Sequence, residues 1–306
     1  MGAARLRVEE PRSSIRARVA NVLPDRALVS AAVGTWPEGL TEVDGGGYTR
    51  SRTWRAQTQN GAVFLKEASG EGPLAMLRTE AIVYANVSGG FLPAFVGFAE
   101  DAGRAVLAIE HLGDVRWPPP YPDDVSPLFA ALAQIASTTP PPELPARKRW
   151  QSRWAQVAAD PEPFLGLGLC SRDWLEQSLE KLVAAEAQAE FEGDDLVHND
   201  IYSGNVCFRR DEAIIIDWGC AVRGSRWIDV AFALLSVRAE GGTPPQLDFP
   251  DEPFFAAALS GHLAVEAPAP LPDWALPGST LRADMTTDLR HALRWAAEGL
   301  DLPPLR

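Results

Sequence analysis

From Thr41 to Ile109 the chain alternates apolar and polar positions in short runs parted by turn residues, which is the pattern of half-buried strands. Strands are predicted over Thr41 to Asp44, Thr53 to Thr58 and Ala62 to Lys66, with Gly45, Gly46 and Gly47 after the first and Asn60-Gly61 between the last two. Asn-Gly between alternating runs specifies a tight hairpin. The period then changes: Leu74, Leu77, Ala81, Tyr84 and Ala85 recur at helical spacing from Pro73 to Val87, and Gly89-Gly90 stops the helix. Two further strands follow, Ala94 to Ala99 and Ala105 to Ile109, turned by Glu100-Asp101-Ala102-Gly103. The order is β-β-β-α-β-β, preceded by a short helix predicted over Ser13 to Leu23.

Beyond Glu110-His111-Leu112-Gly113-Asp114, the run Trp117-Pro118-Pro119-Pro120-Tyr121-Pro122 fits neither helix nor sheet and marks a boundary between two lobes. Afterwards helices dominate: Val125 to Ala136, Lys148 to Ala158, Ser171 to Ala189, a mostly buried one over Trp227 to Val237, and an amphipathic one over Thr280 to Leu300. One hairpin, Val206 to Arg209 with Ala213 to Ile216, interrupts them. The expected organisation is a nucleotide-binding lobe over 1–113 and a helical lobe over 114–306, in an α+β fold.

Composition narrows the partners. A net charge of −13 disfavours a nucleic-acid ligand, which asks for a basic excess, and points to neutral or cationic partners. No apolar run reaches the length of a membrane span, and Met1 to Glu10 has no apolar leader core, so a cytoplasmic protein is expected. Cys170, Cys207 and Cys220 have no CxxC spacing and read as small core residues rather than a disulfide or zinc set. Lysine is scarce: only Lys66, Lys148 and Lys181 stand among 28 basic residues. A lysine that persists against such a bias marks a place where an ammonium is wanted.

The chemistry lies in Val197-His198-Asn199-Asp200-Ile201-Tyr202-Ser203-Gly204-Asn205, followed after the hairpin by Ile216-Asp217-Trp218-Gly219. Phosphoryl transfer from a magnesium nucleotide needs one carboxylate to orient the attacking hydroxyl and hard oxygen ligands for Mg²⁺. Asp200 suits the first task; Asn205 and Asp217 suit the second. The same three residues, taken singly, are also common turn formers.

His198-x-Asp200 with Asn205, Asp217-Trp218-Gly219 and Asp229-Val230-Ala231 together resemble the aminoglycoside phosphotransferase family, small-molecule relatives of the protein kinases that include choline kinase. That family usually has glycine where this chain has Asn199. The resemblance spans Thr41 to about Val237 and implies a two-lobed, protein-kinase-like fold. It implies that Lys66 meets the nucleotide phosphates, that Glu80 holds Lys66, and that Gly45, Gly46 and Gly47 let backbone N–H groups approach the phosphates. Glu110 to Gly113 becomes the hinge that meets adenine, with Ile109 and Leu112 as apolar contacts. His198 braces the loop, and Asp229 is a structural acceptor for it.

The expected reaction is transfer from ATP (or GTP), with Mg²⁺, to a hydroxyl of a small cationic molecule, foremost an aminoglycoside-type antibiotic. A metabolic kinase for choline, an amino sugar or a similar amine alcohol is the alternative, and a non-catalytic nucleotide-binding regulator is another. The stretch from Glu240 to Arg306 sets ten acids against four arginines, so ammonium groups could dock there; a plain solvated acidic surface fits equally well. Trp117, Trp150, Trp154, Trp174, Trp227, Trp274 and Trp295 either line a cleft or pack the interior.

Overall fold

The computed structural model describes residues 23–43, 47–118, 121, 125–149, 151–249 and 251–305. The helix expected over 13–23 lies outside these residues except for Leu23, as do Gly45, Gly46 and Trp150. The first described helix is instead α1 (Arg26–Val33), started by Asp25, whose carboxylate accepts from the N–H groups of Ala27 and Leu28.

One antiparallel sheet builds the first lobe. Its strands are β1 (Gly39–Val43), β2 (Arg52–Thr58), β3 (Gly61–Ser69), β4 (Phe95–Asp101) and β5 (Arg104–Glu110), lying in the order β1-β2-β3-β5-β4. Asn60-Gly61 turns β2 into β3 as expected, with Thr58 opposite Gly61 and Gly61 at φ 114°. Period-two alternation gives β3 two distinct faces. Val63 and Leu65 join Trp54, Ala56, Val106 and Ala108 against α1. Phe64 and Ala68 turn the other way, towards α2 (Glu71–Asn86) and the second lobe, and Lys66 shares their side. Gly97 in β4 is dictated by α1, because a Cβ there would sit 2.0 Å from the Ala32 carbonyl oxygen.

The second lobe is mainly helical. It contains α3 (Ser126–Ala136), α4 (Arg153–Ala159), α5 (Glu162–Leu165), α6 (Arg172–Glu186), α7 (Trp227–Ala239), α8 (Glu252–Glu266) and α9 (Leu281–Gly299). Two small sheets cross it: β6 (Asp195–Val197) with β9 (Val222–Gly224), and the hairpin β7 (Val206–Arg209) with β8 (Glu212–Ile215). The helix expected from Lys148 starts at Arg153, since Ser152 caps it and the Glu186 carboxylate accepts from the N–H groups of Arg153 and Trp154.

Trp154, Trp174 and Trp295 are interior residues, and Trp227 stacks on Phe249 with ring centroids 4.6 Å apart. Of the cysteines only Cys207 is fully buried; Cys170 and Cys220 are half-buried, which corrects the expectation that all three fill the core. Among the described residues no helix is long and apolar enough to cross a membrane.

Candidate active site

Lys66 is the centre of one cluster. Its Nζ donates to Glu80 Oε2 and to Asp217 Oδ1, both at 2.8 Å. Glu80 reaches it because Leu77, Glu80, Ala81 and Tyr84 form one buried face of α2, so the carboxylate is nearly sealed from water. Burial opposes the ammonium charge, yet Asp217 and Glu80 outweigh it and raise the Lys66 pKa above its ordinary value. Burial also acts against the Asp217 carboxylate, and Lys66 overrides it, so Asp217 is held below the usual range.

The second cluster is the loop between β6 and β7. Asp229, on the first turn of α7, accepts the His198 N–H at Oδ2 and the Asn199 N–H at Oδ1, each at 2.8 Å. His198 is fully buried, meets the Ile216 carbonyl through Nε2 at 2.9 Å and stands edge-on to Trp218 at 4.7 Å. Burial lowers its pKa to about 4, so the ring is neutral and braces the loop. Asn199 sits at φ 65°, in the left-handed region that glycine adopts most easily and asparagine tolerates best among other residues. Its Nδ2 donates to the Cys220 carbonyl at 3.3 Å, which fastens the strained residue to the far side of the site.

These braces hold Asp200 near Asp217. Asn205 Nδ2 donates to the Asp200 carbonyl at 2.9 Å and to its Oδ2 at 3.2 Å, which turns the amide oxygen of Asn205 to the other side of the group. The Ile216 N–H donates to the Asn205 carbonyl at 3.0 Å and sets that residue beside Asp217. Burial pushes the Asp200 pKa up to about 7, and repulsion from Asp217 adds to the rise. Asp217 itself is at φ 63°, a second left-handed residue at the site.

Above the carboxylates a cleft of about 270 Å³ opens between the lobes. Its walls include Gly47, Lys66, Glu80, Ile109, Leu112 and Asp217. The expected hinge residues therefore do border it, but the Glu110 carboxylate is occupied: Oε1 accepts from Arg209 Nη2 at 2.7 Å and Oε2 from the Ala94 N–H at 3.2 Å. Trp117, 44% exposed, lines the mouth. Asp217 on the cleft wall and Asn205, tied to its neighbour Ile216, carry hard oxygen donors of the kind Mg²⁺ prefers, and they fit that ion.

Two residues at the site, Tyr48 and Tyr202, carry no expectation from the sequence, and Asp284 is one of the ten C-terminal acids. Tyr202, two residues after Asp200, faces Tyr48 with ring centroids 6.5 Å apart, and the Tyr48 hydroxyl donates to Asp284 Oδ2 at 2.8 Å. The only signal was the tyrosine inside the catalytic motif. In the acidic C-terminal stretch, Glu252 is paired with Arg238, and Glu266 lies between Arg153 and Arg282, so these acids neutralise arginines of the same lobe.

Residues 40–271 match the Phosphotransferase enzyme family, which covers most of the chain. The chain belongs to that family. No curated protein matches it in sequence. Among solved structures it resembles spectinomycin phosphotransferase APH(9)-Ia, bound to ADP and spectinomycin, at 14% identity over 90% of this chain and 98% of that one, with a TM-score of 0.57. It also resembles a putative aminoglycoside phosphotransferase of Ralstonia eutropha JMP134 (13% identity, 90% and 96% covered, TM-score 0.59). A thermostable APH(4)-Ia in ternary complex with ADP and hygromycin B is similar as well (15% identity, 89% and 98% covered, TM-score 0.55). This chain is thus a phosphotransferase with the α+β, two-lobed kinase-like fold.

Proposed function

We propose that this phosphotransferase transfers the terminal phosphoryl group of ATP or GTP to a hydroxyl of a small cationic molecule of the aminoglycoside kind. The observation that carries the reading is Lys66, paired at the cleft wall with Glu80 and with Asp217, which lies close enough to the Asp200–Asn205 pair to repel the Asp200 carboxylate. In this reading the nucleotide-binding lobe ends at Gly113 and the acceptor lobe begins at Asp114. Lys66 and the N–H groups around Gly45, Gly46 and Gly47 draw in the phosphates, and Glu80 keeps the Lys66 ammonium aimed at them. The Glu110 N–H is already given to the Ala94 carbonyl, so the Glu110 carbonyl and the Leu112 N–H are left for the purine edge. Asn205 and Asp217 are the residues that hold Mg²⁺, which neutralises phosphate charge when bound.

Asp200 accepts or orients the proton of the acceptor hydroxyl. Its raised pKa sets the pH dependence: the ionised form is the competent one, and it is lost as the pH falls through about 7. The kcat/KM profile is therefore expected to show an acid limb near pH 7, and a limb near the ordinary aspartate value would contradict a desolvated base. On the acceptor side, Asp284 and Glu240 are the C-terminal acids placed beside the catalytic loop, Asp284 through Tyr48 and Glu240 through the Ser203 hydroxyl, and they favour a cationic substrate.

The deciding experiment is an ADP-release screen with Mg-ATP and Mg-GTP over aminoglycosides, peptide antibiotics, macrolides and simple amino alcohols. Turnover of aminoglycosides is the expected result. Turnover confined to amino alcohols would replace this acceptor with a metabolic one, and nucleotide binding without transfer to any acceptor would point to a regulator.

A further inference from the structure

Gly47 brings conformational freedom rather than packing: a Cβ added there meets nothing within 4 Å. What fixes it is the chain that follows. The Tyr48 carbonyl accepts the Leu276 N–H at 2.8 Å, Thr49 forms an antiparallel bridge with Ala275, and Arg50 Nε donates to the Ala275 carbonyl at 3.2 Å. The Tyr48 hydroxyl then reaches Asp284 Oδ2 at 2.8 Å, an oxygen that also accepts from Thr280 Oγ1 at 2.7 Å at the start of α9. The Tyr48 ring lies nearly parallel to that of Tyr202, at 26°. Three consecutive residues are thus tied to a segment of the other lobe, and one of them also to the loop that carries Asp200.

The character of this seam matters. The ties described are hydrogen bonds and one ring contact at the cleft's edge, and breaking such bonds costs far less than unfolding either lobe. It also joins the two sides that phosphoryl transfer has to bring together, since Gly47 borders the nucleotide cleft and Tyr202 borders Asp200.

We propose that Tyr48 and Asp284 are positioning residues: they clasp the Gly47 turn to the C-terminal lobe, set its height over the nucleotide phosphates, and close the cleft beside Asp200 against water. The proposal rests on the phosphotransferase reading of the cleft but not on the identity of the acceptor. An open clasp leaves the phosphates less well held and admits water as a competing acceptor.

Tyr48→Phe is the discriminating variant, because it removes the hydroxyl and keeps the ring against Tyr202. It is expected to weaken Mg-AMP-PNP binding about tenfold, the loss of one hydrogen bond to a charged group. The share of ATP lost to hydrolysis should rise, amide exchange at 47–53 should quicken, and the melting temperature should stay unchanged. Asp284→Ala should match its loss of nucleotide affinity and also melt lower, because it removes the Thr280 bond at the start of α9 as well, and in affinity the double variant should be no worse than Asp284→Ala alone, since the Tyr48 bond is already broken there. Wild-type nucleotide affinity in Tyr48→Phe overturns the proposal, as do additive losses in the double variant or an affinity loss in Tyr48→Phe that only tracks a fall in melting temperature. If Asp284→Ala does not fold, Tyr48→Phe decides alone. Affinity and exchange are read without acceptor, so a wild-type enzyme that binds Mg-AMP-PNP yet phosphorylates nothing would refute the acceptor reading and leave this test intact.

Discussion

Asp200→Asn is expected to lower phosphate transfer by about 10²–10⁴-fold, the usual worth of a positioned proton acceptor, while nucleotide affinity stays close to that of the wild type. Asparagine keeps the size of the side chain and an oxygen for the Asn205 amide. The Lys66 pairs with Glu80 and Asp217 do not involve Asp200, so the phosphate end of the cleft is left as it was. The sign of the stability change is the informative part. Desolvation and Asp217 raise the Asp200 pKa to about 7, so above that pH the half-buried residue carries a partly desolvated charge that costs stability and that the unfolded chain does not suffer. Asparagine removes the cost. The variant should therefore melt higher than the wild type at pH 8 and lose that advantage as the pH falls below 7. Transfer that survives the substitution would remove Asp200 from the proton's path, and a lower melting temperature at pH 8 would remove the burial argument.

The sheet, its hairpin and the catalytic motif were legible because each is local. Alternation fixed β2 and β3, Asn60-Gly61 fixed the turn, and Lys66 stood out as one of three lysines. Asn199 was noticed as a departure from a glycine, and its φ of 65° supplies the physical reason for a glycine there. What stayed hidden has reasons of its own. Helix α8 reads Pro-Phe-Phe-Ala-Ala-Ala-Leu and is buried on nearly every side, so no polar face marks a helical period. Strands β6 and β9 have three residues each and exist only as a pair. The Tyr48–Asp284 bond joins positions 236 apart, a distance over which no sequence pattern speaks. The acidity after Glu240 reads in the sequence as one reservoir for a cationic substrate, but Glu252 and Glu266 pair with arginines, and only the folded lobe shows that Glu240 and Asp284 lie beside the loop.

Asp229→Ala is expected to act in the opposite direction to Asp200→Asn. Asp229 is 3% exposed and its carboxylate satisfies two backbone donors at once. Burial raises its pKa to about 7, while the His198 and Asn199 N–H groups pull it back towards ionisation. Truncation leaves both buried N–H groups without an acceptor, at about 1–3 kcal/mol each, which is a large part of the few kcal/mol by which most domains are stable. It also frees Asn199 from the contact that holds it in the left-handed region, so the loop relaxes and Asp200 drifts from Asp217. The denaturant midpoint and kcat should therefore fall together. Asp229→Asn should land between, since its amide oxygen can serve one N–H but its NH₂ faces the other. A residue that takes part in transfer without bracing the loop would lose activity with no fall in its midpoint, as Asp200→Asn is expected to do. The paired measurement thus separates a carboxylate that does chemistry from one that only holds the loop in place, and a wild-type midpoint in Asp229→Ala would show that the loop is braced by His198 and Asn199 alone.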